Sequence, residues 1–187
     1  RHEIALLDAW VKDGKPQGDP ADLPATRPRV EGWPLGKPDL VLQMKDVFPI
    51  PASGSDIRQY FVIPTRLTKD RLISAIDFHP GTPESIHHAS FFLDTKRIGR
   101  RMDKADPAPG YAGFGGPGFE RDGTLSSWFP GMVSRRLPKG MGRLVPGGRD
   151  IIAEIHYVTT GKPHRHRSKI GLYFAPPRHA SGLSKSR

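Results

Sequence analysis

A chain of 187 residues is long enough for one domain with a substantial core plus a small attachment. Its 21 glycines and 20 prolines argue against a helical protein and for an all-β domain with many turns. The absence of cysteine excludes disulfides, zinc–thiolate sites, c-type haem attachment and a cysteine nucleophile within this chain, and the net charge of +10 raises nucleic acid as a partner. The basic residues fall, however, into separate clusters: Lys96 to Lys104, Arg135 to Arg143, Arg165 to Lys169, and the tail from Arg178. None carries the interleaved aromatics of a stacking surface, so the reading is solvated loop charge and no nucleic-acid partner. No apolar run has the length of a membrane span and no signal peptide is visible. A chain that opens on Arg1 reads as part of a longer protein.

Taken in order, Glu3 to Val11 places Ile4, Leu7 and Val11 on one helical face, and Gly14 and Pro16 supply a stop. So short a helix needs a packing partner, so residues 1–16 are expected to close a preceding domain. Residues 17–37, rich in Pro, Gly and Asp, read as a linker. From Asp39 the pattern has period two. Strands are expected at Leu40 to Lys45, Tyr60 to Ile63 and Leu72 to Phe78, the last with Leu72, Ser74, Ile76 and Phe78 on one face. Ile86 to Leu93 is the next strand. Lys96 to Gly148 reads as one long irregular segment whose glycines turn the chain while Tyr111, Phe114, Phe119 and Trp128 pin it to the core. Ile151 to Val158 then carries His156 on the face of Ile152 and Glu154. After a turn at Thr160 to Pro163, Ser168 to Ala175 pairs back. Short strands with turns between them predict an antiparallel sandwich or jelly roll over residues 38–177, followed by a disordered tail, 178–187.

Eight histidines remain to be explained. His164 and His166, in a His-Arg-His-Arg run beside a turn, read as exposed. His79, at a strand end, reads as structural, and His2 and His179 take no role. His87, His88 and His156 all sit in apolar strands. Two readings stand for them: buried rings satisfied by hydrogen bonds, or ligands of a metal, with Zn, Cu, Fe and Ni all suited to imidazole. Neighbours on a regular strand point to opposite faces, so His87 and His88 share an ion only if a bulge or strand end re-aims one of them.

These segments carry a family resemblance. Ile86-His87-His88-Ala89-Ser90-Phe91-Phe92 and Ala153-Glu154-Ile155-His156-Tyr157 resemble the N-terminal domain of the copper type II, ascorbate-dependent monooxygenases, which include peptidylglycine α-hydroxylating and dopamine β-monooxygenase. Trp128-Phe129-Pro130-Gly131, Leu137-Pro138-Lys139-Gly140-Met141-Gly142 and Ser168-Lys169-Ile170-Gly171-Leu172-Tyr173-Phe174 are similar to further motifs of that family. The likeness spans roughly residues 38 to 175. Bacterial members with a c-type cytochrome domain upstream are similar in more: a helix like residues 3–11, the Gly18-Asp19-Pro20-Ala21-Asp22 linker, Gly32-Trp33-Pro34-Leu35-Gly36-Lys37-Pro38-Asp39, and Phe114-Gly115-Gly116-Pro117-Gly118-Phe119. The residue after the pair is Ala89, where the family often has methionine.

The resemblance implies a jelly-roll sandwich with copper held by His87, His88 and His156 and relaying an electron. Ascorbate, or haem in an upstream cytochrome domain, is the implied reductant. A second copper domain outside this chain is implied to activate dioxygen and hydroxylate an unknown small molecule or peptide, in a periplasmic or extracellular protein. No catalytic residue is then expected here, and Glu154 or a backbone carbonyl is expected to orient one ligand ring. The alternative is a non-catalytic ligand- or protein-binding jelly roll whose histidines are merely buried.

Overall fold

The structure, a computed structural model, describes residues 1–25, 32–121 and 123–176. The tail expected at 178–187 lies outside the described residues. The chain divides into two units, Arg1–Glu31 and Gly32–Arg187. In the first, helix α1 (His2–Lys12) has no buried residue. Its Lys12 pairs with Asp8 one turn earlier, and the Trp10 indole donates to Pro16 O at 2.9 Å, folding the chain back as the helix ends.

The second unit is built from antiparallel strands. A four-stranded sheet runs β1 (Leu40–Gln43), β11 (Lys169–Phe174), β4 (Arg71–His79), β8 (Arg143–Val145). A five-stranded sheet runs β6 (Tyr111–Ala112), β3 (Ile57–Pro64), β9 (Asp150–Tyr157), β5 (Ile86–Asp94), β7 (Thr124–Trp128). A two-stranded ribbon pairs β2 (Phe48–Ile50) with β10 (His164–His166). Side chains from both larger sheets meet in one core, among them Ile76, Phe78 and Leu172 from the first and Phe91, Ile151 and Ile155 from the second. The domain is therefore all-β and sandwich-like.

Strand β9 is buried along its whole length. Ile151, Ala153, Ile155 and Tyr157 enter the shared core, which leaves Ile152, Glu154 and His156 on the opposite face. That outer face is covered in turn. At one end helix α2 (Ile98–Ala105) docks on two facing aspartates, Asp94 and Asp150. The Asp94 carboxylate accepts from the backbone N–H groups of Lys96, Ile98 and Gly99, while Arg100 forks onto the buried Asp150. Next along the face, Tyr60, Phe92, Tyr111 and Ile152 form a second apolar cluster with Met102 and Phe119. The far end of the face carries the histidines.

Four expectations are corrected. Ser168 to Ala175 does not pair back on the histidine strand: β11 joins β1 and β4 in the other sheet, because β3 and β5 already occupy both edges of β9. In β4 a bulge at Ser74, whose hydroxyl donates to Tyr173 O, turns Ile73 rather than Leu72 into the core. Lys96 to Gly148 is not one irregular segment, since it contains α2, β6, β7 and β8; and Phe114, expected to pin it, is 89% exposed. Several arginines of the basic clusters hold the fold together: Arg100 on Asp150, Arg136 on Ser74 and over the Tyr173 ring, Arg167 on Met44 O.

Residues 33–36 pack on the domain although they read as linker. Trp33 stacks on His79 with ring centroids 3.8 Å apart, and the Tyr173 hydroxyl donates to Gly36 O. Gly171 makes room for this strap: a Cβ there lies 2.6 Å from Pro38 Cγ and 2.8 Å from the Trp33 ring. Gly171→Ala is therefore expected to cost about 1–3 kcal/mol by overpacking and to expose Trp33. Urea titration followed by tryptophan fluorescence checks this, with an unchanged midpoint and emission as the contrary result.

Candidate metal centre

The register of β5 explains how two adjacent histidines reach one face. Ile86 pairs with Tyr157 and His88 with His156, so one step on β9 is matched by two on β5, and His87 is the extra residue of a bulge. The cause lies in which side chains go inward. Ile86 and Ala89 are both buried in the core at a spacing of three, which a strand of period two cannot supply without an inserted residue. A regular strand with Ala89 inward turns the His87 imidazole into the apolar core. The bulge spares that burial, which costs about 1–3 kcal/mol for an unpaired polar group. Upstream, Ser85 anchors the strand entry: its hydroxyl donates to Thr82 O, and its carbonyl accepts Val158 N–H at 3.0 Å.

The three expected ligands come together. Their candidate ligand atoms all lie within 4.8 Å of one another. His88 Nδ1 is 3.1 Å from His87 Nδ1 and 3.4 Å from His156 Nδ1. Bonds of about 2.0–2.1 Å to zinc place two imidazole nitrogens about 2.9–3.6 Å apart at angles of about 90–120°, so these two separations fit nitrogens sharing an ion of that size. The 4.8 Å limit on the whole trio exceeds the roughly 4.2 Å that two such bonds span and calls for the rings to close slightly on a metal. Hydrogen bonding alone fits less well. His88 Nδ1 faces two nitrogens at once, so one proton cannot be matched to one lone pair throughout the trio. A shared cation is the arrangement that could take a lone pair from each of the three. Burial, and then the neighbouring His156, lower the pKa of His88, which favours the neutral form a metal requires.

Burial is not shared equally. His156 is buried, His88 half-buried and His87 exposed, so the pair is not doubly buried although it opens an apolar run. The residue beside the ligand ring is also a surprise. His156 Nε2 lies 3.0 Å from Asp56 Oδ2, a hundred residues away in the chain. Glu154, expected in that role, pairs with Arg58 at 3.1 Å and stands near Tyr60, whose pKa is raised to about 12 first by burial and then by the Glu154 charge. Phe129 stands beside His88 with ring centroids 6.2 Å apart.

The other histidines sort out differently. His79 has the structural role expected of it, under Trp33. His166 is wholly buried, not exposed: Thr82 Oγ1 and Ser168 Oγ meet its two ring nitrogens at 3.0 and 2.8 Å. His164, read as exposed, keeps only 14% of its side chain accessible, held between Glu84 and Thr160. Both lie in β10, a three-residue strand too short to show a period. His179 lies outside the described residues.

No protein-family model, curated protein or solved structure matches the chain. Among the described residues, no helix is long and apolar enough to cross a membrane.

Proposed function

We propose that this domain binds one copper ion through His87, His88 and His156 and serves as the electron-relay part of a copper-dependent monooxygenase-like oxidoreductase. The observation that carries this reading is the bulge at His87, which brings three imidazoles to one face with their ligand atoms within 4.8 Å of one another. An all-imidazole donor set suits copper, and among divalent first-row ions Cu(II) binds such nitrogen sites most tightly. The motif resemblance adds the redox role. Bound there, copper supplies one-electron chemistry between Cu(I) and Cu(II). His156 contributes a ligand held within the sheet, His88 a ligand already biased to its neutral form, and His87 an exposed edge through which a partner or solvent reaches the centre.

The rest of the proposal follows from the resemblance. Residues 38–177 form a jelly roll, 1–16 the last helix of an upstream c-type cytochrome domain, and 17–37 the connection. Ascorbate or haem-derived electrons reduce the copper. A second copper domain of the same parent protein hydroxylates the substrate, in the periplasm or outside the cell. The rival reading, a binding module with buried histidines, is poorly served by an exposed His87.

Copper titration with electron paramagnetic resonance tests the reading. One Cu(II) per chain with a type II signal, bleached by ascorbate and restored by air, is the expected result. No stoichiometric copper, or copper that cannot be reduced, contradicts it.

A further inference from the structure

We infer that Asp56 is a positioning residue for the metal centre: its carboxylate selects the tautomer of His156 whose Nδ1 lone pair faces the other two histidines. This rests on the metal reading of the same site. A neutral imidazole carries one proton, on either Nδ1 or Nε2. His156 Nε2 is 3.0 Å from Asp56 Oδ2, and an ionised carboxylate only accepts hydrogen bonds, so the proton belongs on Nε2. His156 Nδ1 is then left as a lone pair, 3.4 Å from His88 Nδ1, on the side where the three ligand atoms converge. The opposite tautomer sets a lone pair against the carboxylate and a proton into the metal position.

Asp56 is itself held in place. It ends the turn that leads into β3, and that turn is clasped to the segment after β9: Gly161 N–H donates to Ala52 O at 2.9 Å and the Thr159 hydroxyl to Gly54 O. The same strand pairing sets Arg58 opposite His156, so the carboxylate two residues earlier meets the ring from the strand end. An anionic partner on the outer nitrogen also strengthens the inner one as a donor, the pattern by which residues behind a ligating histidine raise metal affinity. Arg58 donates to Glu154 at 3.1 Å, while Asp56 meets the ring of His156.

The test uses the full chain with Asp56→Ala and Asp56→Asn. Asp56 is more than half exposed, so both variants are expected to fold, which circular dichroism checks. Long-range proton–nitrogen correlation spectra of the metal-free protein read the His156 tautomer directly, and competition with a chelator reads Cu(II) affinity. The expected result is an Nε2–H tautomer in the wild type. It is lost or mixed in Asp56→Ala with a 10–100-fold weaker affinity, and retained in Asp56→Asn with a smaller loss, because the amide oxygen still accepts. A wild-type Nδ1–H tautomer overturns the inference. So does an Asp56→Ala protein that keeps the wild-type tautomer and an affinity within twofold of the wild type. If the wild type binds no copper, the metal reading fails, and the metal-free spectra still decide what Asp56 does to the ring.

Discussion

Replacing His87 or His156 by alanine is expected to lower copper affinity by more than about a hundredfold, beyond what losing a residue behind a ligand costs. The two variants differ in what else they lose. His87 is an exposed bulge residue, so His87→Ala is expected to keep stability within about 0.5 kcal/mol of the wild type. His156 is buried beside Asp56 and opposite His88, so its removal opens space on the sheet and strands the carboxylate's partner position, at a cost of about 1–2 kcal/mol. Chelator competition paired with urea midpoints separates the two effects. Copper binding lost without stability loss in His87→Ala marks a ligand, not a packing residue. Wild-type affinity in that variant removes His87 from the centre.

Metal-free protein is expected to lose about 3 kcal/mol of stability between pH 6.5 and 4 through His166 alone. Burial pushes the pKa of this ring from 6.5 down to about 4, even though a hydroxyl stands at each of its nitrogens, because the charged form loses its hydration in the core. The folded value is depressed, so the unfolded chain takes up the proton first. The stabilisation is complete above about pH 6.5, drains away as the pH falls, and is exhausted below about pH 4; a gap of roughly two and a half units at about 1.4 kcal/mol each sets the size. His166→Gln is expected to be less stable at pH 7 but to converge on the wild type as the pH approaches 4. Urea midpoints at three pH values measure this, and a stability difference independent of pH contradicts it. Copper must be left out, because the centre needs neutral imidazoles and acid releases the metal over an overlapping range.

How far the sequence reveals this molecule depends on the length and burial of each element. Strands β4, β5, β9 and β11 are long, apolar-rich runs whose existence is legible, although bulges in β4 and β5 break the alternation that would assign their faces. The face shared by Ile152, Glu154 and His156 follows from the same period. Pairing partners do not, because a strand whose two edges are taken sends its successor to another sheet, as β9 does. Helix α2 escapes notice since it is only eight residues long, four of them charged, and its anchors Asp94 and Asp150 lie outside it. The bulge did leave a trace: Ile86 and then Ala89, Phe91 and Leu93 are inward-facing, a period-two series broken by one residue at the histidines. Asp56 left none, since nothing local ties it to a ring a hundred residues downstream.

The most direct test of the centre is pulsed electron paramagnetic resonance on the full chain carrying one equivalent of Cu(II), with the imidazoles of His87, His88 and His156 each removed in turn. Coupling of one copper to three imidazoles, falling to two in each variant or vanishing with the metal, is the predicted result. A spectrum with fewer than three imidazoles in the wild type, or one that survives unchanged when His87 is replaced, contradicts a centre built on the bulge.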